Sequence, residues 1–203
     1  MKEEFYTEKR WLNWLNKIKE SKFTLKDLDE KNSGAVFVYI MDDVVLACLK
    51  VIARWEHEVI SPTEALSELE NIKNIVFKEQ ESLGEDAGLM LDSLKASLAA
   101  VFVSCQRYIT GDYDGETGLT QMIKKAAEAE EQEKIDDAFD ILSQVGARVI
   151  GGEKLSEEAT ADLPYCMTAE LLDGIDAISA AMMGDDSYKE DDGTEECSED
   201  DDS

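Results

Sequence analysis

The sequence predicts an all-α protein: a bundle of six or seven helices followed by a disordered acidic tail. Three observations carry that prediction. Only two prolines, Pro62 and Pro164, interrupt 203 residues, and β-branched runs are few. Apolar residues recur at three- and four-residue spacing through most of the chain. The last nineteen residues, 185–203, show no such spacing and too little apolar surface to order themselves.

A first helix is expected from Thr7, with Trp11, Trp14, Leu15 and Ile18 on one face. Two tryptophans on one turn make a strong docking face, and packing on the bundle is the simpler reading of them. After a loop containing Asn32-Ser-Gly34, a central helix runs from Ala35 to His57. Its residues 35–53 are apolar on nearly all sides, which suits the middle of a bundle. A membrane span is rejected, because Asp42 and Asp43 sit near its centre and Lys50 and Arg54 follow.

Ser61-Pro-Thr-Glu64 has the form of a capping box with proline at the first helical position. The helix it starts carries Leu66, Leu69, Ile72, Ile75 and Val76 and is expected to end at Gly84. A fourth helix over Asp86–Ile109 follows, and then the turn-rich break Gly111–Gly118. Residues Leu119–Val149 read as one helix with a charged middle, stopped by Gly151-Gly152. Residues 153–167 are expected to be irregular around Pro164, with room for one short helix. Thr168 is the expected cap of a last helix, Ala169–Met183, ending at Gly184. The domain boundaries that result are 1–184 for the helical domain and 185–203 for the tail.

An offset of 53 residues pairs Arg54 with Arg107, Trp55 with Tyr108, Leu66 with Leu119 and Leu69 with Met122. Two stacked helical hairpins would produce that, but chance likeness between amphipathic helices explains so few matches as well.

Charge narrows the function. Forty-seven acidic against twenty basic residues give −27. The tail holds eleven acids and Lys189, or −10, so residues 1–184 carry −17 by themselves. Such a field repels naked nucleic acid and anionic lipid and attracts basic proteins. Cys48, Cys105, Cys166 and Cys197 form no C-x-x-C pair, and Met1-Lys-Glu-Glu-Phe5 opens no apolar leader, so a reducing, cytoplasmic setting is expected.

Two clusters are candidate sites. Asp112, Asp114 and Glu116 alternate as in the start of a calcium loop, but the sixth position is Thr117 rather than Gly and the twelfth is Ile123 rather than Glu. A capped turn accounts for the same residues. The second candidate is a stripe of Asp43, Ala47, Lys50, Arg54 and His57 on the central helix, with Ser93, Ser97, Ala100, Ser104 and Arg107 sharing one face of the fourth. If the two faces met, a seam of Asp43, Lys50, Arg54, His57 and Arg107 would suit a small anion. The plainer account is the wetter side of each helix, or a close contact through small residues. Nucleophile-elbow, phosphate-loop and dinucleotide motifs are absent from the sequence, and one histidine excludes a di-iron bundle of the usual kind. No cofactor is expected.

FYTEKRWLNWLNKI (5–18) and DDVVLACLKVIARWE (42–56) resemble an archaeal family of uncharacterised proteins. The resemblance spans roughly residues 1–180, leaves out the tail, and implies an archaeal cytoplasm without supplying site residues. The expected function is a non-enzymatic adaptor or regulator that binds a basic protein surface, with self-association left open. The alternative is a small-anion- or metal-binding bundle, an enzyme included, that uses the polar stripe. A deep cleft lined by Lys50, Arg54, His57 and Arg107 would favour that alternative, and a filled core the adaptor.

Overall fold

The computed structural model describes residues 4–27, 34–156 and 166–183. Among them every regular element is helical: α1 (Glu8–Ser21), a 3-10 turn at Leu25–Asp27, α2 (Ala35–Glu56), α3 (Pro62–Phe77), α4 (Glu85–Thr110), α5 (Leu119–Glu131), α6 (Ile135–Ile150) and α7 (Met167–Met183). The acidic segment 185–203, the expected loop through Asn32 and Ser33 and most of the irregular stretch around Pro164 lie outside the described residues.

Local sequence accounts for the starts of α1 and α3. Thr7 caps α1 by accepting from the Arg10 N–H at 3.0 Å. The Ser61–Glu64 capping box forms in full, with Ser61 N–H donating to Glu64 Oε2 at 2.8 Å and Glu64 N–H to Ser61 Oγ at 3.3 Å.

The centre of the bundle is α4. It packs against α2, α3, α6 and α7, and Leu91, Leu98, Val101, Phe102 and Cys105 are buried along it. Each such large side chain contributes about 1.5–3 kcal/mol by leaving water. Among the described residues α4 is also the one helix long and apolar enough, by length and composition, to cross a membrane, and half of that stretch is buried in the bundle. The segment 35–53 is less central than its composition suggests. Ile40, Val44, Val45, Cys48 and Val51 of α2 are buried, while Val38 and Tyr39 stand exposed on its outer side.

Three boundaries differ from the sequence reading. Residues 119–149 form two helices, because α5 closes in a Schellman turn: Lys134 N–H donates to Ala129 O at 2.9 Å across Glu133, whose φ is 61°. The charged run 128–133 offers too little apolar surface to hold a continuous helix on the core, and the pattern restarts at Ile135. The third helix stops at Phe77 rather than Gly84, since 78–84 carries Leu83 as its single large apolar residue. Thr168 is not the cap of the last helix. It lies inside the first turn of α7, fully buried, and the capping acceptor comes from α5. There Glu130 accepts from Met167 N–H at 2.7 Å, Thr168 N–H at 2.8 Å and Thr168 Oγ1 at 2.6 Å.

The 53-residue offset carries α2 and α3 onto α4 and α5 in position, and Trp55 packs edge-on against Tyr108 with ring centroids 5.8 Å apart. The packing is not repeated, however. α2 and α3 form an interface, whereas α5 packs on α6 instead of α4.

Candidate functional site

The two faces of the predicted seam go to different neighbours. On α4, Ser97, Ala100 and Ser104 are buried against α6 and α7 at two glycines. A Cβ on Gly146 would lie 2.1 Å from Ser104 Oγ, and one on Gly174 would lie 2.8 Å from the Ser97 carbonyl oxygen. Ser97 Oγ donates to Glu170 O at 2.7 Å, and Ser93 Oγ donates to the Glu170 carboxylate. The serine stripe is therefore a close helix contact. Small residues here let backbones approach, and the hydroxyls donate to carbonyls or a carboxylate.

Arg107 closes the same side. Its Nε donates to Ser143 Oγ at 2.9 Å, Nη1 to Asp112 O at 2.8 Å and Oδ2 at 3.1 Å, and Nη2 to Asp140. It ties α4 to α6 and to the 111–118 loop, away from Asp43 and Lys50.

On α2 the charged stripe is likewise dispersed. Asp43 is held by α1: Arg10 Nε donates to its two oxygens at 3.1 and 3.0 Å, Arg10 Nη2 to Oδ1, and Trp14 Nε1 to Oδ2 at 2.7 Å. A carboxylate this shielded needs such donors. The cation is Arg10, from another helix, rather than Lys50 or Arg54 one or more turns along. Tyr6 lies beside this group without hydrogen-bond geometry; burial, and then the Asp43 charge, push its phenol far above the ordinary range. Lys50 and Arg54 are exposed, and His57 forms the C-cap of α2, its N–H donating to Ala53 O at 3.0 Å.

In the 112–116 loop, two guanidinium groups hold the backbone carbonyls. Arg148, on α6 and 7% exposed, donates to the Thr117 carbonyl and to Asp114 O at 3.4 Å, while Arg107 holds Asp112 O. Glu153 accepts from Arg148 Nε at 2.6 Å and Nη2 at 2.7 Å. Asp114 Oδ1 accepts from Glu116 N–H at 2.8 Å and Thr117 N–H at 3.0 Å. The Thr117 hydroxyl and these two N–H groups lower its pKa to about 2. Among the described residues no three His, Cys, Asp or Glu side chains gather as metal ligands. Arg10, Arg148 and Glu130 escaped the sequence reading, since one charged residue among 67 gives no spacing to notice. Gly146 and Gly174 did leave a signal, since a glycine inside a helix often has a packing reason, although Gly88 in α4 has none.

What α2 does form is a groove of about 850 Å³ between its outer side, α1 and the C-terminal ends of α6 and α7. Tyr39, Leu46, Leu49 and Met182 give it apolar wall; Asp42, Asp43 and Glu56 add three carboxylates against Arg10 and Lys50. Burial raises the pKa of Asp42. Tyr39 is 58% exposed, Val38 59%, and Met183, at the end of α7, 69%.

Residues 4–191 match the model of a family described as uncharacterised proteins conserved in archaea, and the chain belongs to that family. The match runs past residue 180 and takes in the first part of the acidic segment, further than the quoted motifs implied. No curated protein and no solved structure matches the chain.

Proposed function

We propose that this member of the archaeal family is a non-enzymatic adaptor or regulator, and that the α2 groove is where it receives a basic protein. One juxtaposition supports the reading. An outward apolar wall of Tyr39, Leu46, Leu49 and Met182 adjoins the Asp42 and Glu56 carboxylates, and the sequence segment of charge −10 begins two residues after Met183. Tyrosine and methionine are favoured at the buried centre of interfaces. Net charge of this size speeds the approach of a basic partner at low salt and opposes a second copy of the same chain. The polar-stripe alternative loses its support, because Arg107 is committed to Asp112, Asp140 and Ser143, and Asp43 to Arg10 and Trp14.

The test is cross-linking and capture from an archaeal extract with three proteins: the full chain, a Tyr39→Asp/Met182→Asp variant, and a chain ended at Gly184. The expected result is one basic protein cross-linked near Tyr39, lost from the double variant, and bound more slowly and with less salt dependence by the shortened chain. Retention of that protein by a folded double variant would exclude the groove. Equal association by the shortened chain would leave the acidic segment with a solubilising role alone.

A further inference from the structure

Charge is spread unevenly along this chain. Residues 8–26 hold six basic side chains and two acidic, the reverse of the balance in the chain as a whole. Some of these charges are already committed: Lys19 to Glu81, Glu8 to Lys78, and Arg10 to Asp43. Lys9 and Lys17 are exposed and make no ion pair among the described residues. With Asn13 they recur at four-residue steps, so they share one side of α1. Lys17 also follows Arg10 by seven residues, which places it on the side of α1 that meets the α2 groove. Its ammonium group lies over the Trp14 ring, 4.2 Å from the centroid. Lys50, on α2, lines the groove itself; it is exposed and likewise makes no ion pair among the described residues.

The end of α7 stands at the same groove, where Ala181 and Met182 line it together with Arg10 and Lys50. Two residues after Met183 the chain continues into segment 185–203, with eleven carboxylates and one lysine. An extended chain advances about 3.3 Å per residue, so the stretch from Gly184 to Ser203 reaches about 65 Å. Lys9 and Lys17 lie only about 12 Å apart along the helix. Reach is therefore no obstacle, and a run of acids starts beside the chain's own uncommitted lysines. Residues 1–184 carry −17 and repel that run elsewhere. Exposed ion pairs are weak singly, but three on one tethered segment give about a ten-fold preference for this face.

We propose that segment 185–203 turns back past the groove and rests against α1, with carboxylates on Lys9, Lys17 and Lys50. Three lysines leave most of the eleven acids unpaired, and these stand along the rim of the groove. The contact is made by one chain alone, so it does not depend on what the groove receives.

A nitroxide on Cys197 reports where the segment lies. Cys48 and Cys105 are buried, so Cys166→Ser leaves Cys197 as the reactive thiol of the full chain. Exposed Lys124 and Lys125 on α5 serve as the comparison. In the ¹⁵N-labelled protein at low salt, the label should broaden the Lys9–Lys17 amide signals and the Trp14 indole signal. The effect there should be about ten-fold that at Lys124 and Lys125. The excess at α1 should disappear in Lys9→Gln/Lys17→Gln, whose two exposed positions leave the core alone. It should disappear as well at about 1 M salt, where the screening length is about 3 Å. Equal broadening of α1 and α5 overturns the proposal, as does an excess at α1 that survives the double variant or high salt. A ¹⁵N chain without label, mixed with labelled ¹⁴N chain, should show no broadening. Broadening of α1 in that mixture would seat the segment on a second copy and overturn the proposal too.

Discussion

The two sides of this bundle are built on different terms. Where α4 meets α6 and α7, serine and glycine bring backbones into contact, and Arg107 and Arg148 fasten the loop beyond. Around α1, the chain leaves an 850 Å³ groove against α2 and a 310 Å³ cavity against α3 and segment 78–84, and the Arg10–Asp43 group ties α1 to α2. Close packing leaves no room for a visitor. The open side keeps exposed apolar area, with Tyr39 and Met182 in the groove wall. Under the proposed function, it is the open side that would meet a partner.

The strongest way to break that division is Gly174→Leu. Its Cβ would meet the Ser97 backbone, which cannot rotate away. A loss of about 3 kcal/mol is expected in urea unfolding; a loss below about 1 kcal/mol would show that the α4–α7 contact is loose. Asp43→Ala should cost less, about 1–2 kcal/mol. It leaves the Trp14 indole without its acceptor, but the Arg10 side chain is 42% exposed and can turn to water. The same measurement in Asp43→Asn should recover part of the loss.

A third test uses pH on the tight side. Burial pushes the Glu130 carboxyl up, but hydrogen bonds from the Thr168 hydroxyl and from Thr168 and Met167 N–H outweigh it, and the pKa falls below its ordinary 4.5. With the folded pKa depressed, this cap contributes in full above about pH 4.5 and is lost as pH falls through the folded value. Glu130→Gln should therefore lower Tm by about 3 °C at neutral pH. Acidification from pH 6 to 3 should then separate the two proteins less and less. A constant gap across that range would remove Glu130 as an ionised cap. The smallest effect is expected at Gly88, also on α4, where an added Cβ meets nothing within 4 Å. Gly88→Ala should stabilise by about 0.5–1 kcal/mol, and a loss there would mean that α4 is crowded at its start too.

The sequence by itself determined the helical class, the capping box at Ser61, the cap at Thr7 and the apolar faces of α1 and α4. These depend on residues within one or two turns of each other, where spacing and side-chain reach fix the outcome. Tertiary structure alone decided which cation meets Asp43, which carboxylate caps α7, and why the α4 serines are buried. Arg10 and Asp43 are 33 residues apart, and Glu130 and Thr168 are 38. With 67 charged residues in the chain, many partners are chemically equivalent. The choice among them is made only when packing of the apolar faces brings one pair within bonding distance and leaves the others in water.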